Sequence, residues 1–266
     1  MQAKDKVIVV TGAGSGIGQE LAVQLLRKGA RIAGIDIHSD ALAQTQALAG
    51  VGDDQFKGFV LDISDKQKVD ELPAKVTEHF GTVDGLINNA GIIQKFLPIK
   101  DLSIEDIQRV VNVNFYGTLY LTKAFLPLFL ERPVAHIVNV SSMGGFIPFP
   151  GQTAYGAAKA AVKLFTEGLY AELKATPVRV TVVHPGAIAT HIMENSGLGK
   201  PSASAAQANR ALPAAKAAEL IIKAMERDQF RVMVGKDASF MDLFYRLNPQ
   251  SAVDFIQRKM ADVMGT

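Results

Sequence analysis

From Lys6 the chain reads KVIVVT, then TGAGSGIG, then QELAVQLLRKG, and few folds accommodate that succession. Lys6 to Thr11 is a β-branched apolar run that stops at glycine, the pattern of a strand buried on both faces. From Ile17 the apolar residues recur at helical spacing until Gly29 supplies a C-terminal stop. A glycine-rich turn between a buried strand and a helix N-terminus brings backbone N–H groups and the positive end of the helix dipole toward a phosphate. Gly12, Gly16 and Gly18 carry the turn. The common dinucleotide fingerprint GxGxxG does not fit, because Ile17 or Gln19 would have to be glycine. By itself such a loop is also compatible with a plain strand-to-helix turn.

Strand and helix go on alternating. RIAGIDI, FKGFVLDIS, VDGLINNAG, VAHIVNVSS, VRVTVV and FRVMVG read as strands, and helical periodicity separates them. Ser103 opens a long helix through Leu130, with Asp106 placed for a near capping box. Another helix runs through Tyr155 and Lys159, and a third follows Pro213. The alternation predicts one α/β domain over residues 1–266, a doubly wound parallel sheet with helices on both faces. At 266 residues the chain is long for one domain, but open α/β sheets commonly reach this size as a single unit. Residues 191–212 mix Gly, Ser, Ala and a proline without periodicity, as a lid over a substrate would. Residues 238–266 form a C-terminal helical extension with Phe240, Leu243, Phe244 and Leu247 on one face. That face is expected to dock on its own domain or on a neighbouring subunit. Arg246, Arg258 and Lys259 beside it leave a peripheral membrane contact as the alternative.

A formal net charge of +2, without a basic stripe interleaved with aromatics, gives no reason to expect a nucleic-acid partner. The absence of cysteine excludes disulfides and thiolate metal sites and fits a reducing compartment, so the expectation is cytoplasmic. His38, His79, His136, His184 and His191 have no ligand spacing, and no metal is expected. The N-terminus enters a strand almost at once, leaving no room for a signal peptide. No apolar run approaches the roughly 18 residues of a transmembrane helix.

Chemistry points to Tyr155 and Lys159. Four apart on a helix, they share a face, and a cation near a phenol favours the phenolate and lowers a pKa that is ordinarily about 10. Ser142, at the end of the VAHIVNVSS strand, can be folded back beside them by the Gly and Pro turns that intervene. Asp36 ends the second strand about 20 residues beyond the glycine loop, where a carboxylate can bind ribose hydroxyls and repel a 2′-phosphate. No arginine follows it, since the next residues are Ile37, His38 and Ser39. Asp62 ends the third strand and reads locally as the N-cap region of the next helix. Asn114, inside the long helix, is a mediocre helix former that ordinarily caps, kinks or bonds a specific partner.

TGxxxGIG at 11–18, NNAG at 88–91, Asn114, Ser142 and the Tyr-x-x-x-Lys of Tyr155 and Lys159 together resemble the short-chain dehydrogenase/reductase family. The resemblance covers the chain to about Gly235. It implies a Rossmann-like sheet of about seven strands and hydride transfer between NAD and an alcohol or carbonyl carbon. The catalytic set would be Asn114, Ser142, Tyr155 and Lys159, with Ser142 rather than Ser141 chosen by its spacing from Tyr155. Cofactor contacts would come from Gly12, Ser15, Gly16, Ile17, Gly18, Asp36, Asp62, Ile63, Asn89, Ala90 and Gly91. Tyr155, Lys159, Pro185, Gly186, Ile188 and Thr190 would complete them on the nicotinamide side. In the family the helix asparagine holds a water that completes a proton path, and the helices at 103–130 and 154–174 build a homo-oligomer. Substrate would meet Ile93, Ser142, Phe146, Ile147, Phe149, Tyr155, Ile192 and Met193, a mostly apolar set that points to a lipophilic secondary alcohol or ketone of steroid, terpenoid or long-chain type. Two other readings stand beside this one, a non-catalytic NAD-binding sensor or scaffold and an NAD-dependent epimerase or dehydratase.

Overall fold

The computed structural model describes residues 1–190, 192–199 and 211–264. Seven strands, β1 (Val7–Thr11), β2 (Arg31–Asp36), β3 (Phe56–Val60), β4 (Gly85–Asn88), β5 (Ala135–Val140), β6 (Val178–Pro185) and β7 (Arg231–Val234), form one parallel sheet. Their order across the sheet is 3-2-1-4-5-6-7. β1 is an interior strand, with Val7 to Thr11 in register with Arg31 to Ile35 on one side and Ile8 to Val10 with Gly85 to Ile87 on the other.

The helices on the sheet are α1 (Gly16–Arg27), α2 (Ser39–Ala49), α3 (Lys66–Phe80), α4 (Ile104–Val111), α5 (Gly117–Leu130), α6 (Thr153–Leu173) and α7 (Ala214–Glu226). Successive residues of a strand face opposite ways, and β1 divides accordingly. Ile8 and Val10 pack with Leu21, Leu25, Ile221 and Met225 from α1 and α7. Val7 and Val9 pack with Leu72, Val76, Phe125, Phe129 and Leu169 from α3, α5 and α6. A strand apolar at every position is therefore explained by two cores. Each large side chain fully buried in them stabilises the fold by about 1.5–3 kcal/mol.

The strand order reverses between β1 and β4, and an open α/β sheet leaves a crevice at the carboxyl ends of its strands at such a point. β1 runs into the glycine loop, β4 into Asn89 to Gly91 and β5 into Ser141 and Ser142, so their exits all meet at that crevice.

Three local expectations change. The helix from Ser103 does begin with Ser103 Oγ accepting from Asp106 N–H at 3.1 Å, but a π-helical turn at Asn112–Tyr116 interrupts it between α4 and α5. The cap of α3 is Asp65, which accepts from Lys68 N–H at 3.2 Å, whereas Asp62 bonds to Ser64 instead. The C-terminal extension is two helices, α8 (Lys236–Leu247) and α9 (Pro249–Met264). Its docking face is Met241 with Phe244 and Tyr245, packed on Ile147 and on Ala252 and Ile256 of α9, and Ala238 is buried as well. Phe240, Leu243 and Leu247, expected on that face with Phe244, are 56%, 55% and 76% exposed. Among the described residues no helix is long and apolar enough to cross a membrane.

Candidate active site

A cavity of about 810 Å³ opens at the crevice. Gly12 and Gly16 turn the loop at its floor with φ of +67° and +54°, a backbone that favours glycine. Ser15 and Ile17 line the cavity beside them. Gly18 does not. A Cβ on Gly18 would stand 1.9 Å from the Gly12 carbonyl oxygen, so this glycine lets helix and loop touch and has no face toward a ligand.

Asp36, Asp62 and Ile63 line one end of the cavity. The Asp36 carboxylate is held by backbone donors, accepting from Gly14 N–H at 3.0 Å and His38 N–H at 3.1 Å. Asn89, Ala90 and Gly91 line the middle. Thr11 Oγ1 accepts from the N–H groups of both Asn89 and Ala90 at 2.9 Å, and Asn89 Nδ2 donates back to Thr11 O at 3.0 Å. These bonds tie the exit of β4 to that of β1. Pro185, Gly186, Ile188 and Thr190 border the far side, where Asp237 at the start of α8 accepts from Ala187 N–H at 2.7 Å.

Ser142, Tyr155 and Lys159 share one wall. Ser142 Oγ accepts from Gly144 N–H at 3.0 Å, and its hydroxyl lies on the Tyr155 side of that turn, where it favours the phenolate. Ser141 Oγ instead donates to the Lys159 carbonyl at 2.7 Å, a structural tie that separates the roles of the two serines. Lys159 is buried and donates to Val140 O at 3.0 Å, with Nζ 6.0 Å from the centre of the Tyr155 ring. Burial pulls its pKa down to about 8. Burial also raises the Tyr155 phenol, and the Ser142 hydroxyl opposes that rise. The expected lowering of the phenol by Lys159 is therefore not seen in this structure, where dehydration sets the direction of the shift.

Asn114 lies in the π turn, where Nδ2 donates to Val110 O and Ile92 O, both at 2.8 Å. Its Oδ1 is buried and has no protein partner among the described residues. A Cβ on Gly91 would stand 2.6 Å from that oxygen and 3.1 Å from Lys159 Nζ, so a glycine is required where the three approach. From within the π turn, Asn114 thus approaches Lys159 across Gly91.

The expected substrate residues divide. Ile93, Ser142, Tyr155 and Ile192 line the cavity, whereas Phe146, Ile147, Phe149 and Met193 do not. Ile147 is fully buried under α8, and Phe146 stands edge-on to His184 and beneath the Arg231 guanidinium. Phe149 packs into the same C-terminal cluster while staying against Gly144. Apolar bulk near the site was legible in the sequence, but which way it turned depended on helices far along the chain.

Of the expected lid, residues 192–199 and 211–212 are described, and residues 191 and 200–210 lie outside the described residues. Ile192–Asn195 is one helical turn, and Leu212 pairs with Ile188. Asn195 Nδ2 donates to Ser15 Oγ at 2.8 Å, and Ser196 Oγ accepts from Ile93 N–H at 2.9 Å, so this segment is bonded to both sides of the cavity. Arg109 also holds it, donating to Ser196 O at 3.1 Å. Glu105, Gln108, Arg109 and Asn112, none of them expected, line the cavity from α4 and the π turn. Their spacing of three and four is the signal that would have placed them on one face.

The match to known proteins extends along most of the chain. Residues 6–200 match the family model described as short chain dehydrogenase. SadH of Mycobacterium tuberculosis, named an oxidoreductase, is 41% identical over 250 residues, covering 91% of this chain and 90% of its own. A short-chain dehydrogenase/reductase from Burkholderia phymatum, solved with NAD, superposes with a TM-score of 0.79 at 29% identity, covering 88% of this chain and 90% of the other. A short-chain dehydrogenase from Burkholderia cenocepacia, solved with NADP, gives 0.81 at 26% identity, covering 96% and 99%.

Proposed function

The chain belongs to the short-chain dehydrogenase family, and from that premise we propose that it is an NAD-dependent oxidoreductase of lipophilic secondary alcohols and ketones, with Tyr155 as acid and base. Membership makes it an oxidoreductase that uses a nicotinamide cofactor. The choice of NAD, the substrate class and the residue roles are our additions. The observation that carries the residue roles is the convergence of Ser142, Tyr155 and Lys159 on one wall of a cavity floored by the glycine loop.

The residues present fit such a cofactor. Gly12, Ser15, Gly16 and Ile17 offer a phosphate cradle at the N-terminus of α1. Asp36, fixed by two backbone donors and followed by no arginine, favours ribose hydroxyls over a 2′-phosphate. Asp62 and Ile63 would flank the adenine, and Pro185, Gly186, Ile188 and Thr190 the nicotinamide. When bound, the cofactor accepts or donates the hydride. Tyr155 takes the substrate hydroxyl proton in oxidation and returns it in reduction. Ser142, whose oxygen already accepts from Gly144, turns its O–H toward the phenol and the reacting oxygen. Lys159 holds the nicotinamide ribose and passes the proton toward a water positioned by Asn114, whose buried Oδ1 has the acceptor capacity for it. Ile93 and Ile192 at the cavity, with the aromatic cluster behind Phe149, favour apolar substrates.

The test is NADH absorbance with a mixed panel of alcohols and ketones, run on the parent and on Tyr155→Phe. The variant is expected to lose about 10²–10⁴-fold in turnover and keep its dinucleotide affinity. Equal turnover by the two proteins contradicts the assignment of Tyr155. Charged sugars outperforming hydrophobic alcohols contradicts the substrate class, and NADP binding as tightly as NAD contradicts the argument from Asp36. We also place the protein in the cytoplasm as a homo-oligomer joined through α4–α5 and α6, where Tyr116, Leu164 and Tyr170 stand exposed.

A further inference from the structure

Two amides buried beside the site have no role in that reading. Gln94 is 2% exposed and Gln152 6%. Gln94 Oε1 accepts from Tyr155 N–H at 3.0 Å, and its Nε2 donates to Gly151 O at 2.9 Å. Gln152 Nε2 donates in return to Gln94 O at 2.8 Å. The first N–H groups of a helix have no acceptor inside it, and Tyr155 lies in the first turn of α6. A local Ser, Thr, Asp or Asn ordinarily satisfies such a group. Here Gln152 holds the N-cap position and its side chain makes no capping bond. The Tyr155 N–H is satisfied instead from a segment 61 residues away, the one that carries Ile92 and Ile93 into the cavity. Buried amides that lose their partners are costly, so a set of bonds in dry surroundings holds one arrangement.

We propose that Gln94 is a positioning residue for Tyr155, capping the catalytic helix with a neutral amide that fixes where the phenol stands without placing a charge beside it. This rests on the reading of Tyr155 as acid and base. A carboxylate would suit a helix N-terminus better, but its charge would hold a nearby phenol protonated. The groups that face the phenol are Lys159 from the same helix, Ser142 from the exit of β5 and, behind Ser142, the His184 imidazole of β6. Lys95, next to Gln94, is turned outward and paired with Asp106.

The experiment compares the NAD-saturated parent with Gln94→Met, which keeps the length and loses both bonds, and Gln94→Glu, which keeps the acceptor and adds charge. Turnover, NAD dissociation constant and the ζ-carbon resonance of 13C-labelled Tyr155, assigned with Tyr155→Phe, are read against pH. Gln94→Met is expected to lose at least about tenfold in kcat with NAD affinity within about twofold, and to displace the Tyr155 resonance. Gln94→Glu is expected to regain much of that kcat only at alkaline pH, with the profile and the Tyr155 titration both displaced upward by about half a unit or more. Parental kcat in the Met variant, kcat and NAD affinity falling together, or an undisplaced titration in the Glu variant each overturns the proposal. If the parent turns over no alcohol or ketone, the functional reading fails by itself. The resonance, which needs no turnover, then decides this inference, and Gln94→Glu alone decides it should Gln94→Met not fold.

Discussion

The buried titratable residues around Ser142 and Tyr155 show how dehydration competes with partners. Lys159 ordinarily holds its proton to 10.5 and in the fold only to about 8, because burial disfavours the ammonium. Between those values the unfolded chain binds more protons, so stability rises with pH across that window and the penalty is complete below it. The difference in urea midpoint between cofactor-free parent and Lys159→Met should therefore change from pH 8 to 10.5 in the parent's favour, and a flat difference would contradict it. His184 behaves alike at lower pH. Burial brings it down to about 4 from 6.5 despite the Ser142 carbonyl, so it is neutral near pH 7 with Nδ1 as the donor to that carbonyl. Stability is expected to fall as pH drops from 6.5 to 4, and to fall less in His184→Asn, which keeps a donor and cannot be protonated. The pairing of Tyr155 with Lys159 was legible because both lie on one helix. The role of His184 was not, because β6 and the exit of β5 meet only across the sheet.

Elements reach the cavity through close approaches that small residues permit. Gly18→Ala would drive a methyl onto the Gly12 carbonyl oxygen, and neither backbone can give way without moving the loop. We expect a loss of about 3 kcal/mol or more in urea unfolding, with weakened NAD binding. Asp237 is the opposite case, a side chain reaching from the start of α8 to hold Ala187 N–H while Gly186 and Gly235 leave room for it. Asp237→Ala should weaken NAD binding about tenfold through the freed 185–190 loop, with a thermal midpoint near the parent's, and unchanged affinity would show that the loop holds itself. The glycine spacing 12, 16 and 18 marked this region in the sequence. It could not separate the glycines that face the cavity from the one that packs, since that depends on how α1 lies against the loop. The π turn was likewise invisible, because its residues fit a continuous helical period.

At the scale of the molecule, the C-terminal helices close what the sheet leaves open. Ending the chain at Gly235 would uncover Ile147 and the aromatic residues that back the Ser142 loop. The truncated protein also lacks Asp237, so it is expected to unfold at lower urea, to bind NAD at least as weakly as Asp237→Ala and to lose turnover at saturating NAD as well; turnover equal to that of Asp237→Ala would mean that the rest of α8 and α9 does not support the site. The sequence alone determined the order of strands and helices, the glycine loop and the Tyr155–Lys159 spacing, since each is written in local periodicity or in residues a few positions apart. Only the tertiary structure decided that Gln94 caps the helix of Tyr155, that Phe146 and Ile147 turn away from the cavity and that Asn114 turns in. Those outcomes depend on surfaces contributed by distant segments, and the free energy that selects among them exists only once those segments are packed together.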